Sequence, residues 1–86
     1  MSDEVKIGKI THFFGKIMVA AIELTDGELS VGDTIHVKGH TSDFQVTVDS
    51  MQIEGESVEK AAEGESVGIR VPDHAREGDE VFLIED

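Results

Sequence analysis

Four histidines, His12, His36, His40 and His74, stand in a chain that has no cysteine. Imidazole ligates metals and moves protons near neutral pH, so these residues come first. A zinc centre needs three or four convergent ligands at short spacing. His36 and His40 are four apart, which shares a face on a helix but not on a strand running into a turn. His12 and His74 are remote in sequence. The pattern predicts structural or surface histidines and no metal site. His40, Ser42 and Asp43 bring the residue types of a triad together, but they crowd one turn. Short polar side chains in such a turn cap their own backbone. No nucleophile elbow accompanies them. With 19 Asp and Glu in 86 residues, carboxylate pairs are inevitable and carry no sign of general acid–base work. The expectation is a chain that is not an enzyme and takes no cofactor.

A different chemistry gathers near the start. Between Val5 and Ile22 there is no acid; Lys6, Lys9, His12 and Lys16 surround Phe13 and Phe14. Cations interleaved with rings can meet phosphates and stack on bases. Lysines also guard edge strands against aggregation. Adjacent phenylalanines on a strand face opposite ways, so one needs a cover from outside the core, either a partner or the turn at residues 39–43. The predicted contact surface is the hairpin at residues 10–16 with the loop at residues 39–44. Its candidate partner-binding residues are Lys9, His12, Phe13, Phe14, Lys16, His40 and Phe44. The expected partner is a protein or a ribonucleoprotein, with no membrane. Direct RNA contact is disfavoured by a net charge of −12, which repels phosphate backbones at long range. Residues 1–48 hold four basic and seven acidic residues, and residues 49–86 hold three basic and twelve acidic. The acidity therefore lies mainly in the second half.

These residues must be positioned by short strands. Gly32-Asp33 reads as a tight turn feeding an alternating run from Thr34 to Lys38, and Gly27-Glu28, Gly55-Glu56, Gly64-Glu65 and Gly78-Asp79 repeat the pair. Glycine supplies the positive φ of such turns, and the acid can bond nearby amides. Apolar alternation predicts strands over residues 5–14, 16–24, 34–38, 44–48, 51–53, 66–71 and 80–85. The second should be central, with both faces covered. Gly8 marks a bulge or close approach. The phase slip at Asp49-Ser50 marks a second bulge. Residues 26–30 read as a loop, and residues 54–64 hold at most an irregular helical turn. The chain is expected to be one domain, residues 1–86, with residues 1–4 a flexible acidic tail. The fold class is all-β, a small six- to seven-stranded closed β-barrel. No apolar run reaches the roughly 20 residues that span a bilayer, and the acidic start is unlike a secretory signal. A cytoplasmic location is expected.

Several landmarks resemble domain two of the translational GTPases, the β-barrel of elongation factor Tu and its relatives. They are Asp26-Gly27-Glu28-Leu29-Ser30-Val31-Gly32-Asp33, Val37-Lys38-Gly39, Met51-Gln52-Ile53, Val58 with Ala61, Gly64-Glu65-Ser66-Val67-Gly68-Ile69, and Arg76-Glu77-Gly78-Asp79-Glu80-Val81. The chain lacks the phosphate-cradling loop of a GTP-binding domain. The resemblance implies a free-standing, elongation-factor-like binding or adaptor module associated with translation or a ribonucleoprotein. A similar barrel ends some collagenase-like peptidases. The alternative is therefore an accessory β-barrel subunit of a larger enzyme of that kind.

Overall fold

Every apolar-periodic run becomes a strand. The structure, a computed structural model, describes residues 3–85. The strands are β1 (Asp3–Phe14), β2 (Val19–Leu24), β3 (Leu29–Ser30), β4 (Thr34–Lys38), β5 (Asp43–Thr47), β6 (Met51–Ile53), β7 (Glu56–Val58), β8 (Lys60–Ala61), β9 (Ser66–Arg70) and β10 (Glu80–Glu85). All pairings are antiparallel. Eight strands form one sheet in the order β5-β4-β10-β1-β2-β9-β6-β7, and β3 pairs with β8 in a second. The all-β, antiparallel class is as expected, and the described residues contain no helix. Among the described residues the strands number ten rather than six or seven. The hydrogen-bonded ladder ends at β5 and β7, with no pairing between them. No helix among the described residues is long and apolar enough to cross a membrane. Met1 and Ser2 of the expected acidic tail lie outside the described residues, while Asp3 and Glu4 belong to β1.

The glycine–acid pairs work through a repeated local device. The five glycines with positive φ are Gly27, Gly32, Gly55, Gly64 and Gly78, each followed by an acid. In three turns the acid reaches back three residues. Asp33 accepts from the Ser30 amide at 2.9 Å, Asp79 from Arg76 at 2.9 Å and Glu65 from Ala62 at 2.7 Å. The turn amide of the same acid closes each loop onto the same residue's carbonyl at 3.1 Å. These turns satisfy their own backbone, so they set strand starts without help from the core.

Two bulges shape β1. Register shifts fall between Lys6 and Gly8 against β10 and between Ile10 and His12 against β2. Each inserts one residue, so the core-facing side chains come three apart at Ile7, Ile10 and Phe13. Strict alternation from Ile10 would put His12 and Phe14 in phase with it; the second bulge breaks that phase and brings Phe13 to the core instead. Gly8 is required because a Cβ there would overlap the Glu23 carbonyl oxygen.

Residues 48–50 are a corner rather than the bulge expected at Asp49-Ser50. Val48 is buried, donates to the Asp33 carbonyl at 2.8 Å and accepts from Gly32 at 2.8 Å. The chain then leaves β4 and enters beside β9 as β6. Residues 54–64 hold β7 and β8 instead of a helical turn. Glu54 (φ 50°) and Gly55 (φ 82°) form a two-residue hairpin loop between Ile53 and Glu56. Positive φ at both positions matches the twist of the flanking strands. A glutamate in that region carries no sequence signal, because the conformation is rare for it.

The core is aliphatic, with Ala20, Ile22, Leu24, Leu29, Ile35, Val37 and Val81 wholly enclosed. β2 is central in the ladder, but only one face is sealed; Val19, Ala21 and Glu23 on the other are half-buried. The turn at residues 15–18, with Met18 at φ 54°, delays its start to Val19.

Candidate functional site

The cross-strand register Lys6–Phe82–His36–Gln45 aligns one outward face across β1, β10, β4 and β5. Alternation sends Ile35, Val37 and Val81 to the core and leaves Lys38, His36 and Phe82 outside. At one end of this face, Lys6, Lys9, Lys38, His40 and Phe82, together with the acids Glu77, Asp79 and Glu80, line a concavity of about 740 Å³. It collects three of the chain's seven Lys and Arg residues. Lys6 pairs with Glu80 at 3.0 Å; among the described residues Lys9 and Lys38 make no ion pair. Beside the Phe82 ring, the ammonium groups of Lys9 and Lys38 suit a carboxylate, while Glu77, Asp79 and Glu80 in the same lining oppose one.

His36 lies between two acids from other strands. Its Nδ1 is 2.9 Å from Glu4 Oε1, and its Nε2 is bonded to the Asp43 carboxylate. The Asp43 bond, then the Glu4 bond, hold the His36 pKa above its ordinary value against a smaller opposing effect of burial. The imidazolium in turn holds the Asp43 carboxyl below its usual range. When charged, the ring donates from both nitrogens. Both nitrogens are occupied by carboxylates. Among the described residues no group of three or more His, Cys, Asp or Glu is arranged to hold a metal ion.

The residues singled out in the sequence divide into three settings. Lys9 and His40 share the concavity. Phe13 and Phe44 turn inward, both half-buried and packed on the core, and Phe13 meets the His74 ring at 5.4 Å. Phe13 is thus the core-side ring, and the outward one is Phe14, whose ring neighbour is His12 and not a residue of the turn at 39–43. Phe14 and Lys16 stay outside at the hairpin end, Phe14 being 46% exposed. The His12 ring lies tilted against Phe14 with centroids 4.4 Å apart and sits 3.3 Å from Glu77. Sequence reasoning missed Ile17, which is 59% exposed, because it was assigned to a strand. It also missed Lys6, Lys38 and Phe82 as neighbours. The only signal was their shared outward phase, which has no meaning until the strand order is known.

Comparison with known proteins comes down on one side of the earlier resemblance. No family model matches the chain. It is 40% identical over 84 residues to an uncharacterized protease of Methanocaldococcus jannaschii, an alignment covering 96% of this chain and 20% of the relative. It is 31% identical over 80 residues to a collagenase of Porphyromonas gingivalis, covering 92% and 19%. The chain thus spans about a fifth of the length of the curated relatives it matches. Among solved structures it is similar to the C-terminal domain of a Geobacillus thermoleovorans protein assigned as a U32 peptidase. The TM-score is 0.84 at 14% identity, covering 93% of this chain and 91% of that one. A selenomethionine variant of the same domain gives 0.79 at 13%. These findings overturn the translation-factor resemblance, and with it the translation or ribonucleoprotein role. The turn motifs that suggested it are fold markers. Strand-opening turns of this kind record backbone geometry and not the task of the protein.

Proposed function

We propose that the chain is a non-catalytic accessory β-module of a collagenase-like peptidase. The observation that carries this is the alignment of 96% of the chain with only 20% of a protein named as a protease. A module of this share would assist a peptidase whose chemistry resides elsewhere. The likeness to a peptidase C-terminal domain supports the same reading. The contact surface would centre on the hairpin end, with Phe14 and Ile17 as apolar anchors and Lys16 beside them. The concavity with Lys9 and His40 would serve a carboxylate-bearing stretch of the partner. Phe13 and Phe44 would support these groups from within.

We read the sheet as a barrel closed by the chain itself and not by its ladder. Thr47 ends β5 and Met51 begins β6. Four residue steps reach at most about 14 Å, so the Thr47 end of β5 lies within that distance of β6, second from the other end of the ladder, while the β5 edge itself makes no ladder bond to β7.

The test combines retention with catalysis. The tagged chain is mixed with the peptidase portion of the Methanocaldococcus jannaschii relative, and co-purification and gelatin hydrolysis are measured. The chain alone should cleave nothing and should be retained by the peptidase portion. Phe14→Ser with Ile17→Ser should abolish retention while changing stability by no more than about 0.5 kcal/mol per site, as usual for exposed positions. Gelatin cleavage by the chain alone, or no retention of the unaltered chain, would sink the proposal.

A further inference from the structure

Where the ladder stops, the chain leaves a strand edge with unpaired backbone. The Gly39 amide donates to the Ser42 carbonyl at 2.7 Å, and the Val48 amide to the Asp33 carbonyl at 2.8 Å. In an antiparallel ladder bonded pairs recur at every second residue. Between those two anchors the bonded pairs are therefore Val37 with Phe44 and Ile35 with Val46. It follows that the N–H and C=O groups of Asp43, Gln45 and Thr47 point away from β4. All three residues are exposed, and among the described residues β5 has no second strand partner.

Most of the usual protections of an edge are missing here, the charges of Asp43 and Asp49 being the exception. Edges are blunted by lysine, proline, a bulge or shortness. β5 is Asp-Phe-Gln-Val-Thr, five residues in unbroken register with β4. The opposite edge, β7, has three residues. Beside β5 lies a cleft of about 310 Å³ lined by Val46, Asp49, Ser50, Arg70, Val71 and Pro72. The cleft separates the β5 edge from the end of β9 and offers apolar contact to a side chain pointing inward.

We propose that the free edge of β5, with this cleft, captures an extended segment of a neutral or basic polypeptide by adding it as a further strand. A row of alternating amides and carbonyls is matched by another extended backbone, and the pocket then selects alternate side chains. Charge decides against a second copy of this chain as the occupant: each copy carries −12, and like-charged surfaces repel. A neutral or basic segment meets an edge bearing Asp43 and Asp49 without that cost. The inference goes beyond the accessory-module reading and does not depend on it, since it concerns only this chain's backbone.

The experiment uses the full chain, isotope-labelled, and amide hydrogen exchange with and without a probe. The probe is a seven-residue acetylated, amidated peptide alternating valine and threonine between terminal lysines. Exchange should slow at Asp43, Gln45 and Thr47. Methylating the peptide's alternate amides, so that it cannot pair, should remove the effect without touching the protein. Gln45→Pro deletes an outward donor while sparing the bonds to β4 and should weaken binding by about tenfold or more. Gln45→Ala should stay within about twofold. Three results would each overturn the proposal: undiminished binding of the methylated peptide, protection at β7 or in the lysine-lined concavity instead, or protection of the three amides that rises with protein concentration when no peptide is present. The last would assign the edge to a second copy.

Discussion

His36 is held by Glu4, 32 residues before it in the chain, and Asp43, seven after it. The cluster ties the first strand to the edge strand across the outer face. Its pH dependence follows from the two displaced groups. The His36 pKa is raised above 6.5 in the folded protein. Its contribution is therefore fully present below pH 6.5 and is lost as pH rises through the folded value. Asp43 is lowered below 3.8, so its contribution is present above pH 3.8 and is lost as pH falls through the folded value. The stability difference between the protein and a His36→Gln variant should be largest between those limits and shrink on both sides. Thermal melts of the two proteins from pH 3 to 8 would check this; a difference that is flat with pH would refute it. Alternation along β4 put His36 outside. That it has two acidic neighbours was not legible, because Glu4 and Asp43 reach it only through strand pairing.

Among the elements, β1 departs furthest from a simple alternating strand. A strand of twelve residues that keeps period two would put Ile10 on the opposite face from Ile7 and Phe13. Two bulges restore their phase and bend the strand around the core. The first depends on Gly8, whose missing Cβ makes room for the Glu23 carbonyl. Gly8→Ala must push β1 and β2 apart and should destabilise by about 1–3 kcal/mol, as overpacking does. Gly15→Ala, where a Cβ meets only the Phe13 ring at an ordinary 3.7 Å, should change stability by no more than about 0.5 kcal/mol. Urea denaturation of both variants would check the contrast, and equal midpoints would remove the argument. The bulge at Gly8 was legible because glycine inside a strand has few other uses. The bulge beyond Ile10 was not, because nothing in Thr11 or His12 announces it.

At the scale of the molecule, 19 acids and seven Lys or Arg share a small surface, and self-repulsion opposes the compact state. Salt screens it. Raising sodium chloride from low to about 0.5 M should raise the melting temperature by about 4–8 °C, the shift that about 1 kcal/mol produces in a domain of this size. A fall in melting temperature would mean that ion pairs such as Lys6–Glu80 outweigh the repulsion. The sequence alone determined the all-β class, the strand starts at Thr34 and Glu80, and the turns at Gly32-Asp33, Gly64-Glu65 and Gly78-Asp79. These rest on side-chain alternation and on glycine–acid pairs that close their own hydrogen bonds, so they are local. The tertiary structure decided the strand order, the corner at residues 48–50 and the hairpin loop at Glu54-Gly55. It also decided which lysines face one another, which phenylalanine is enclosed and which edge is left unpaired. Those depend on partners far apart in the chain, and alternation says which way a side chain points without saying what it will meet.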